Sequence, residues 1–151
     1  MEQPRNIEIF NRVVILTLAK LYESFPTPID LDVEKIGHDA IHDARDEQEA
    51  FDVITAVASC TISFLAEEGF LRYEPSLRTM EGSPFPSARL TLKGFTLLGS
   101  IPSTVNETVD HRPFADQLRE AVNEGAKNSI SELVKSMFLG AVHLGMSAAV
   151  A

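Results

Sequence analysis

A long apolar helical pattern that stops at a single glycine limits the fold of this chain more than any other feature. Over residues 48–68 apolar side chains recur at steps of three and four, which predicts one helix with an apolar face. That face consists of Phe51, Ile54, Ala58, Ile62 and Leu65, widened by Val53, Val57, Cys60 and Phe64. Gly69 follows directly, and glycine often ends a helix because it adopts positive φ without strain. The chain is therefore expected to turn sharply at this point.

Two short strand-like segments follow the turn. Phe70–Glu74 and Ala88–Leu92 favour strand structure, and the loop Pro75–Ser87 between them contains three prolines and a glycine. The pattern predicts a β-hairpin with a long tip. Apolar spacing, prolines and capping residues predict the remaining helices. These cover residues 7–25, 32–43, 93–99, 113–125 and a last helix from Ser129, with a polar linker over residues 103–112.

The residues around the turn resemble those of winged-helix domains. Residues 64–71 read FLAEEGFL, and residues 88–98 read ARLTLKGFTLL. In the winged-helix superfamily a recognition helix ends in a Leu-x-x-x-Gly-apolar turn, and a β-hairpin called the wing follows. The second strand of the wing often runs into a Leu-Thr-x-x-Gly-x-x-Leu-Leu element, as in the MarR and PadR types of bacterial regulator. The resemblance covers about residues 51–99, a third of the chain.

This resemblance implies a mainly helical α+β fold. A winged-helix core of three helices and a β-hairpin wing would occupy residues 1–102, and residues 103–151 would form a C-terminal helical extension. In members that bind DNA, the recognition helix lies in the major groove and the wing contacts the backbone or the minor groove. The residues expected to face DNA are then Asp52, Thr55, Ser59 and Ser63 on the helix and Arg72, Arg78, Arg89 and Lys93 on or beside the wing.

The distribution of charge argues against DNA binding through this helix. The chain has a net charge of −9 at pH 7, whereas affinity for DNA comes largely from Lys and Arg that displace counterions. No Lys or Arg lies between Arg45 and Arg72, so the helix lacks the commonest specific contact, Arg or Lys to guanine. Asp52 would repel phosphates. The cations of the wing would either contact phosphates or only keep the edge of the hairpin from aggregating.

Two functions therefore stay open. The first is a non-enzymatic winged-helix module that acts in regulation by binding another protein, and the acidity of the chain favours it. The second is a dimeric DNA-binding transcriptional regulator that contacts DNA mainly through its wing. Binding of DNA is common in the winged-helix superfamily, and the resemblance favours this function. In the first case the partner is another protein or a second copy of the chain.

The last helix is a candidate dimer interface. Its apolar residues are Ile130, Leu133, Val134, Met137, Phe138, Ala141, Val142 and Leu144. They cover about half of the helix circumference, so the helix either packs on its own domain or pairs with a second copy. Insertion into a membrane surface is disfavoured, because the helix has no polar face rich in Lys and Arg.

No pattern in the chain predicts catalysis, a cofactor or a metal site. The chain has no P-loop, no Gly-x-Gly-x-x-Gly and no Gly-x-Ser-x-Gly. His38 and His42 have i, i+4 spacing, but no Cys pair accompanies them, and a polar acidic helix surface is the favoured interpretation. The single cysteine, Cys60, lies in an apolar run and is predicted to be a buried small hydrophobe. With no signal-peptide pattern at the start of the sequence, this indicates a cytoplasmic protein.

Overall fold

The computed structural model describes residues 4–100, 112–124 and 127–143. Within these ranges the chain forms six helices and one two-stranded antiparallel hairpin. The helices are α1 (Arg5–Ser24), α2 (Val33–Ala40), α3 (Glu47–Glu67), α4 (Leu92–Gly99), α5 (Phe114–Glu124) and α6 (Lys127–His143). The strands are β1 (Leu71–Arg72) and β2 (Arg89–Leu90), with a single 3-10 turn, Pro75–Leu77, between them. The mainly helical α+β class predicted from the sequence is therefore confirmed.

Helix α1 lies at the centre of the molecule. It contacts α2, α3, α5, α6 and β2, and its buried side chains occur around most of its circumference. Those side chains are Ile9, Asn11, Arg12, Val13, Val14, Ile15, Thr17, Leu18 and Leu21. A single apolar face would be too narrow for these contacts, because helices from the C-terminal part of the chain also pack on α1.

Helix α3 matches the predicted length, but it is not a regular α-helix throughout. Asp46 caps its first turn by accepting a hydrogen bond from the Glu49 N–H at 2.8 Å. Val53–Val57 forms one turn of π-helix, which adds a residue to the turn and rotates the preceding residues relative to the following ones. Beyond the C-terminal end Gly69 has a φ of 84°, the left-handed conformation expected of a glycine cap.

The hairpin is shorter than predicted. The paired residues are Leu71 with Leu90, Arg72 with Arg89 and, as an isolated bridge, Ile29 with Ala88. Each strand has two residues, whereas the sequence pattern predicted five. The first strand is cut short because Pro75 begins the 3-10 turn. The second ends because the Thr91 hydroxyl oxygen accepts a hydrogen bond from the Gly94 N–H (3.0 Å) and so caps α4.

A close contact between α4 and the turn after α3 holds the hairpin in place. The Thr91 hydroxyl donates a hydrogen bond to the Gly69 carbonyl oxygen (2.6 Å), and the Thr91 N–H donates one to the Phe70 carbonyl oxygen (3.1 Å). A Cβ added to Gly94 would lie 2.2 Å from that same Phe70 oxygen. Only glycine permits this approach, so the Leu-Thr-x-x-Gly element of the sequence closes the turn at Gly69.

The C-terminal helices contribute to the same core. Helix α5 packs on α1 and α4, and α6 packs on α1, α4 and α5. Phe114, Leu118 and Met137 each expose 2% or less of their surface. Burial of one such side chain contributes about 2 kcal/mol, so these helices add substantially to the stability of the whole chain.

An ion-pair network joins the start of α1 to the start of α3. Arg5 donates hydrogen bonds to Glu49 (2.9 Å) and Asp43 (3.2 Å), and Arg12 donates to Asp43 (2.6 Å) and Glu8 (2.8 Å). The Arg12 side chain is only 5% exposed and that of Glu49 only 10%. Charge-assisted hydrogen bonds that are shielded from water are stronger than those at an open surface. The network therefore holds the first turn of α3 on α1.

Two glycines of α4 provide a test of the contact with Phe70. Gly94→Ala should lower the free energy of unfolding by about 1 to 3 kcal/mol, because the new methyl group overlaps a backbone oxygen that cannot move away easily. Gly99→Ala, in the same helix, should change it by less than about 1 kcal/mol, since nothing lies within 4 Å of the added Cβ. Urea unfolding followed by circular dichroism measures both. Equal effects of the two substitutions would contradict the close packing described here.

The Arg5–Glu49 contact makes stability depend on pH. The hydrogen bond from the Arg5 guanidinium, with a further one from the Arg45 N–H, lowers the pKa of Glu49 from 4.5 to about 2. Because the folded-state pKa is the lower one, the stabilisation is complete above pH 4.5 and is lost as the pH falls toward 2. Glu49→Gln should therefore lower the free energy of unfolding by about 2 kcal/mol at neutral pH. The free energy of unfolding of this variant should also depend less on pH between 4.5 and about 2.

Thermal unfolding between about pH 7 and about pH 2.5 measures this difference. The matched control is Glu47→Gln, the same change two residues away on an exposed side chain, which should stay within about 0.5 kcal/mol of the unsubstituted chain. A Glu49→Gln chain whose melting temperature falls as steeply with acid as that of the unsubstituted chain would disprove the assignment.

Candidate functional site

One side of α3 is exposed along its whole length. The inner side chains Ala58, Ile62 and Leu65 are fully buried in the core, and we call the opposite side the outer face of α3. The outer face consists of Phe51, Thr55, Ala56, Ser59, Cys60, Ser63 and Phe64. Phe51 is 62% and Phe64 41% exposed. The outer face therefore combines two exposed aromatic rings with small, uncharged side chains.

Three of the four residues predicted to face DNA from this helix, Thr55, Ser59 and Ser63, share the outer face. Thr55 is exposed, and Ser59 and Ser63 are half-buried. The Thr55 hydroxyl donates a hydrogen bond to the Phe51 carbonyl oxygen (2.7 Å), so its proton is directed at the helix backbone. Asp52, beside this face, is exposed and would repel a phosphate group. The face thus offers hydroxyl oxygens but no cation.

Two predictions about α3 are wrong in the structure. Phe51 was assigned to the buried stripe, yet it is mostly exposed, because the π turn at Val53–Val57 shifts it relative to the inner residues that follow. Cys60 was predicted to be buried, yet its side chain is exposed. The apolar stripe on this helix is wider than the core that α1 and α2 provide, so Cys60 at its edge stays outside.

The composition of α3 is unusual for a helix with an exposed side. By length and composition alone it is long and apolar enough to cross a membrane, yet only 28% of its most apolar window is buried. In this fold it cannot leave the core without exposing Ala58, Ile62 and Leu65. Apolar surface that remains outside a folded core is a common mark of a contact site for another molecule.

A cavity lies beside the first half of α3, next to Asp52. It has a volume of about 360 Å³ and lies between the first turns of α1 and the first half of α3. Ile9 and Val53, both nearly buried, and the half-buried Val57 form its apolar floor. Its polar rim consists of Arg5, Asn6, Arg45, Asp46, Gln48, Glu49 and Asp52. A cavity of this size and lining accommodates an apolar group that carries a polar end.

A pair of arginines forms a second surface on the hairpin. Arg72 and Arg89 are directly opposite each other across the two strands, and both are exposed. Among the described residues neither side chain has an ion pair or a hydrogen bond. Like charges directly opposite each other destabilise a sheet. An anion bound between the two guanidinium groups would remove this repulsion.

The other two cations predicted to contact DNA are held by the fold itself. Arg78 donates hydrogen bonds to the Pro84 carbonyl oxygen (2.8 Å) and the Tyr73 hydroxyl (2.9 Å), and it lies over the Tyr73 ring. Lys93 donates to the Glu68 carbonyl oxygen (3.3 Å) at the C-terminal end of α3, where a cation is favoured by the helix dipole. Of the four wing candidates, the structure thus brings Arg72 and Arg89 together. Arg78 instead binds within the hairpin loop, and Lys93 binds the C-terminal end of α3.

The candidate interface residues of α6 lie mostly inside the chain. Ile130, Leu133, Val134, Met137 and Ala141 are buried. Phe138 is half-buried, and its ring contacts those of Phe10 and Phe70. Val142 is exposed, as is Leu139, which the sequence interpretation omitted, and Leu144 lies outside the described residues. Pairing through α6 stays a prediction, for which Leu139 and Val142 are the apolar side chains on the outside.

The histidine pair of the sequence does not converge in the structure. Helix α2 ends at Ala40, so His42 lies in the following turn, with its Nδ1 3.4 Å from the Asp39 carbonyl oxygen. His38 is exposed, with Nε2 4.0 Å from a Glu34 carboxylate oxygen. In the part of the chain that the structure describes, no group of three His, Cys, Asp or Glu side chains has an arrangement that would hold a metal ion.

The outer face of α3 combines exposed aromatic rings with small uncharged side chains, and the arginine pair places two like charges opposite each other. No protein-family model matches the chain, and neither a curated protein nor a solved structure is significantly similar to it. What these surfaces bind therefore follows from their charge, exposure and shape.

The exposure of Cys60 is directly testable by its reaction with dithionitrobenzoate. The folded chain should react within about tenfold of the rate of the unfolded chain, because an accessible thiol needs no unfolding step. Moving the thiol to the inner side in the double variant Cys60→Ala/Ala58→Cys should slow the reaction by at least about a hundredfold, since position 58 is fully buried. Strong protection of Cys60 in the unsubstituted chain would contradict the outer face as described.

Proposed function

We propose that this chain is a cytoplasmic, non-enzymatic winged-helix module that acts in regulation by binding another protein through the outer face of α3. The order of the elements supports a winged helix. Three helices precede the hairpin, and its second strand leads into α4 through Thr91. The contact of Gly94 with Phe70 also supplies a physical reason for the Leu-Thr-x-x-Gly element on which the resemblance rests.

The packing of α2 on α3 supports the same assignment. A Cβ added to Gly37 of α2 would lie 2.9 Å from the Ile54 Cα of α3, so the two helix backbones are in close contact. Helix-turn-helix motifs join two such helices by a short turn, and here residues 41–46 form the connection. In a winged helix of this arrangement α3 would be the recognition helix.

The outer face of α3 is the observation that carries the proposal. A recognition helix that reads DNA needs donors for base edges and cations near phosphates. This face instead exposes Phe51 and Phe64, and Asp52 and Glu67 are exposed at its ends. Aromatic residues are enriched and charged residues depleted in the centre of protein–protein interfaces. The chemistry of the face is therefore that of a protein interface.

A second candidate function rests on the arginine pair. Arg72 and Arg89 lie side by side, exposed and without an ion pair among the described residues, and guanidinium groups bind phosphate in a bidentate manner. A dimeric regulator that contacts the DNA backbone through the wing would use them. Even the four arginines of such a dimer supply less counterion release than the roughly six to ten phosphate contacts of a typical DNA-binding protein, so this remains the second candidate.

An electrophoretic mobility-shift assay with random duplex DNA separates the two functions. At about 10 μM protein and about 50 mM salt we expect no complex, because the chain has a net charge of −9 and its α3 carries no cation. The variants Arg72→Ala/Arg89→Ala and Ser59→Ala/Ser63→Ala are tested beside it. A complex that the arginine variant abolishes would establish the second candidate, and a complex that the serine variant weakens would overturn the proposed role of the outer face.

A further inference from the structure

The carboxylates of α3 and its cap are confined to the two ends of the helix. Asp46, Glu47 and Asp52 lie at the first end, and Glu67 lies beside Glu68 at the second. The fourteen residues 53–66 between them carry no charged side chain. At 1.5 Å per residue, this uncharged stretch separates the two acidic ends by about 20 Å.

The cations near these ends do not neutralise them. At the first end Arg5 and Arg45 both donate to the carboxylate of Glu49. Among the described residues the exposed carboxylates of Asp46, Glu47 and Asp52 have no ion pair, although Asp46 accepts from the Glu49 N–H and Asp52 from the Gln48 side chain. At the second end Lys93 donates to the Glu68 backbone oxygen, and neither the Glu67 nor the Glu68 carboxylate has an ion pair within the described part of the chain. Both ends of the outer face therefore keep negative charge.

The surface between the acidic ends suits a helix. Small side chains such as Ala56, Ser59 and Ser63 let another backbone approach closely. The Phe64 ring packs edge-on against Phe10 of α1, with centroids 5.7 Å apart, so the side of the face toward α1 is apolar as well. Near the first end the cavity over Ile9, Val53 and Val57 offers space for one large side chain. An amphipathic helix that binds a groove inserts apolar anchors in this way.

We propose that the outer face of α3 binds an amphipathic helix of a partner protein whose apolar face is bounded by Lys or Arg at both ends. One large apolar side chain of that helix enters the cavity beside Val57. The basic residues face the carboxylates at the two ends of α3. This inference rests on the proposed function and adds the chemistry of the partner to it.

A second copy of the chain and a lipid surface fit the same face less well. Because both ends of the face are acidic, two copies paired through it place carboxylates against carboxylates in either orientation. The anionic inner leaflet of a membrane would repel the same groups. A basic partner helix is the occupant for which the charges attract.

The exposed Cys60 in the middle of the face provides the readout. Its rate of reaction with dithionitrobenzoate is measured in the full chain alone and with synthetic helices of about 18 residues. The helices share one leucine-rich apolar face, with Lys or Glu at the polar positions, and a third has the Lys sequence interrupted by proline. The Lys helix should slow the reaction at saturation by at least about fivefold, and the Glu and proline versions should leave it unchanged.

Surface variants test the two parts of the proposal separately. Asp52→Asn/Glu67→Gln should weaken binding of the Lys helix by about tenfold, whereas Glu81→Gln/Glu74→Gln, the same loss of two carboxylates in the hairpin loop, should not. Asn6→Phe fills the mouth of the cavity and should also weaken binding by about tenfold, whereas Asn6→Ala leaves the cavity open and should bind normally. Circular dichroism confirms that each variant is folded.

The outcomes distinguish failure of this inference from failure of the proposed function. Equal protection of Cys60 by the Lys and Glu helices, or by none of the helices, would overturn the inference about the partner's chemistry. So would protection by phosphatidylcholine vesicles, or protection that rises with protein concentration as sedimentation shows a dimer. Protection by duplex DNA would overturn the proposed function itself. Protection by the Lys helix alone, lost in the charge and cavity variants, supports both.

Discussion

The burial of α1 is the constraint on which the rest of the structure depends. Val13, Val14 and Leu21 have no exposed surface, and every other described helix contacts α1, with α4 doing so through the stacked rings of Phe95 and Tyr22. Burial of each such side chain contributes roughly 2 kcal/mol, so the neighbouring elements are held against α1 by their apolar sides. The inner side of α3 is occupied in this way, which leaves its outer face at the surface. The buried side of α6 is likewise used within the chain.

Polar contacts then determine how α3 lies on α1. Arg5 holds Glu49 in the first turn of α3, and Ala58, Ile62 and Leu65 hold its second half in the core. The π turn lies between these two points of attachment. It adjusts the rotation of the first half of the helix to the ion pair without disturbing the packing of the second. The cavity over Ile9 and Val53 lies at this junction. The irregular turn of α3 and the candidate binding cavity are therefore at the same position in the structure.

The sequence predicts α3, the glycine turn and the hairpin because each depends on neighbours along the chain. Apolar spacing, the cap at Gly69 and the Thr91–Gly94 element are local signals. The strands were predicted too long, since the effects of Pro75 and the Thr91 cap on strand length were not taken into account. The Arg5–Glu49 contact joins residues 44 positions apart, and no periodic pattern reports such a pair.

The candidate site was predictable in its composition and less so in its geometry. That Ser59 and Ser63 share one side follows from their four-residue spacing in the regular part of the helix. The exposure of Phe51 does not, because a constant helical period cannot be extended across a π turn. The opposition of Arg72 and Arg89 depends on strand register, which follows from the length of a loop whose shape the sequence did not specify.

The two unusual surfaces have a common physical meaning. Phe51 leaves most of its apolar surface in water and so contributes little to folding. The opposed Arg72 and Arg89 lower the stability of the hairpin by up to about 1 kcal/mol. Neither feature stabilises the isolated chain. A bound apolar group would remove the Phe51 surface from water, and a bound anion would remove the repulsion between the two arginines. Because one surface is apolar with acidic ends and the other is cationic, a single DNA duplex would satisfy only the second. The apolar surface, which a duplex would leave uncovered, is therefore the stronger support for the proposed binding of another protein.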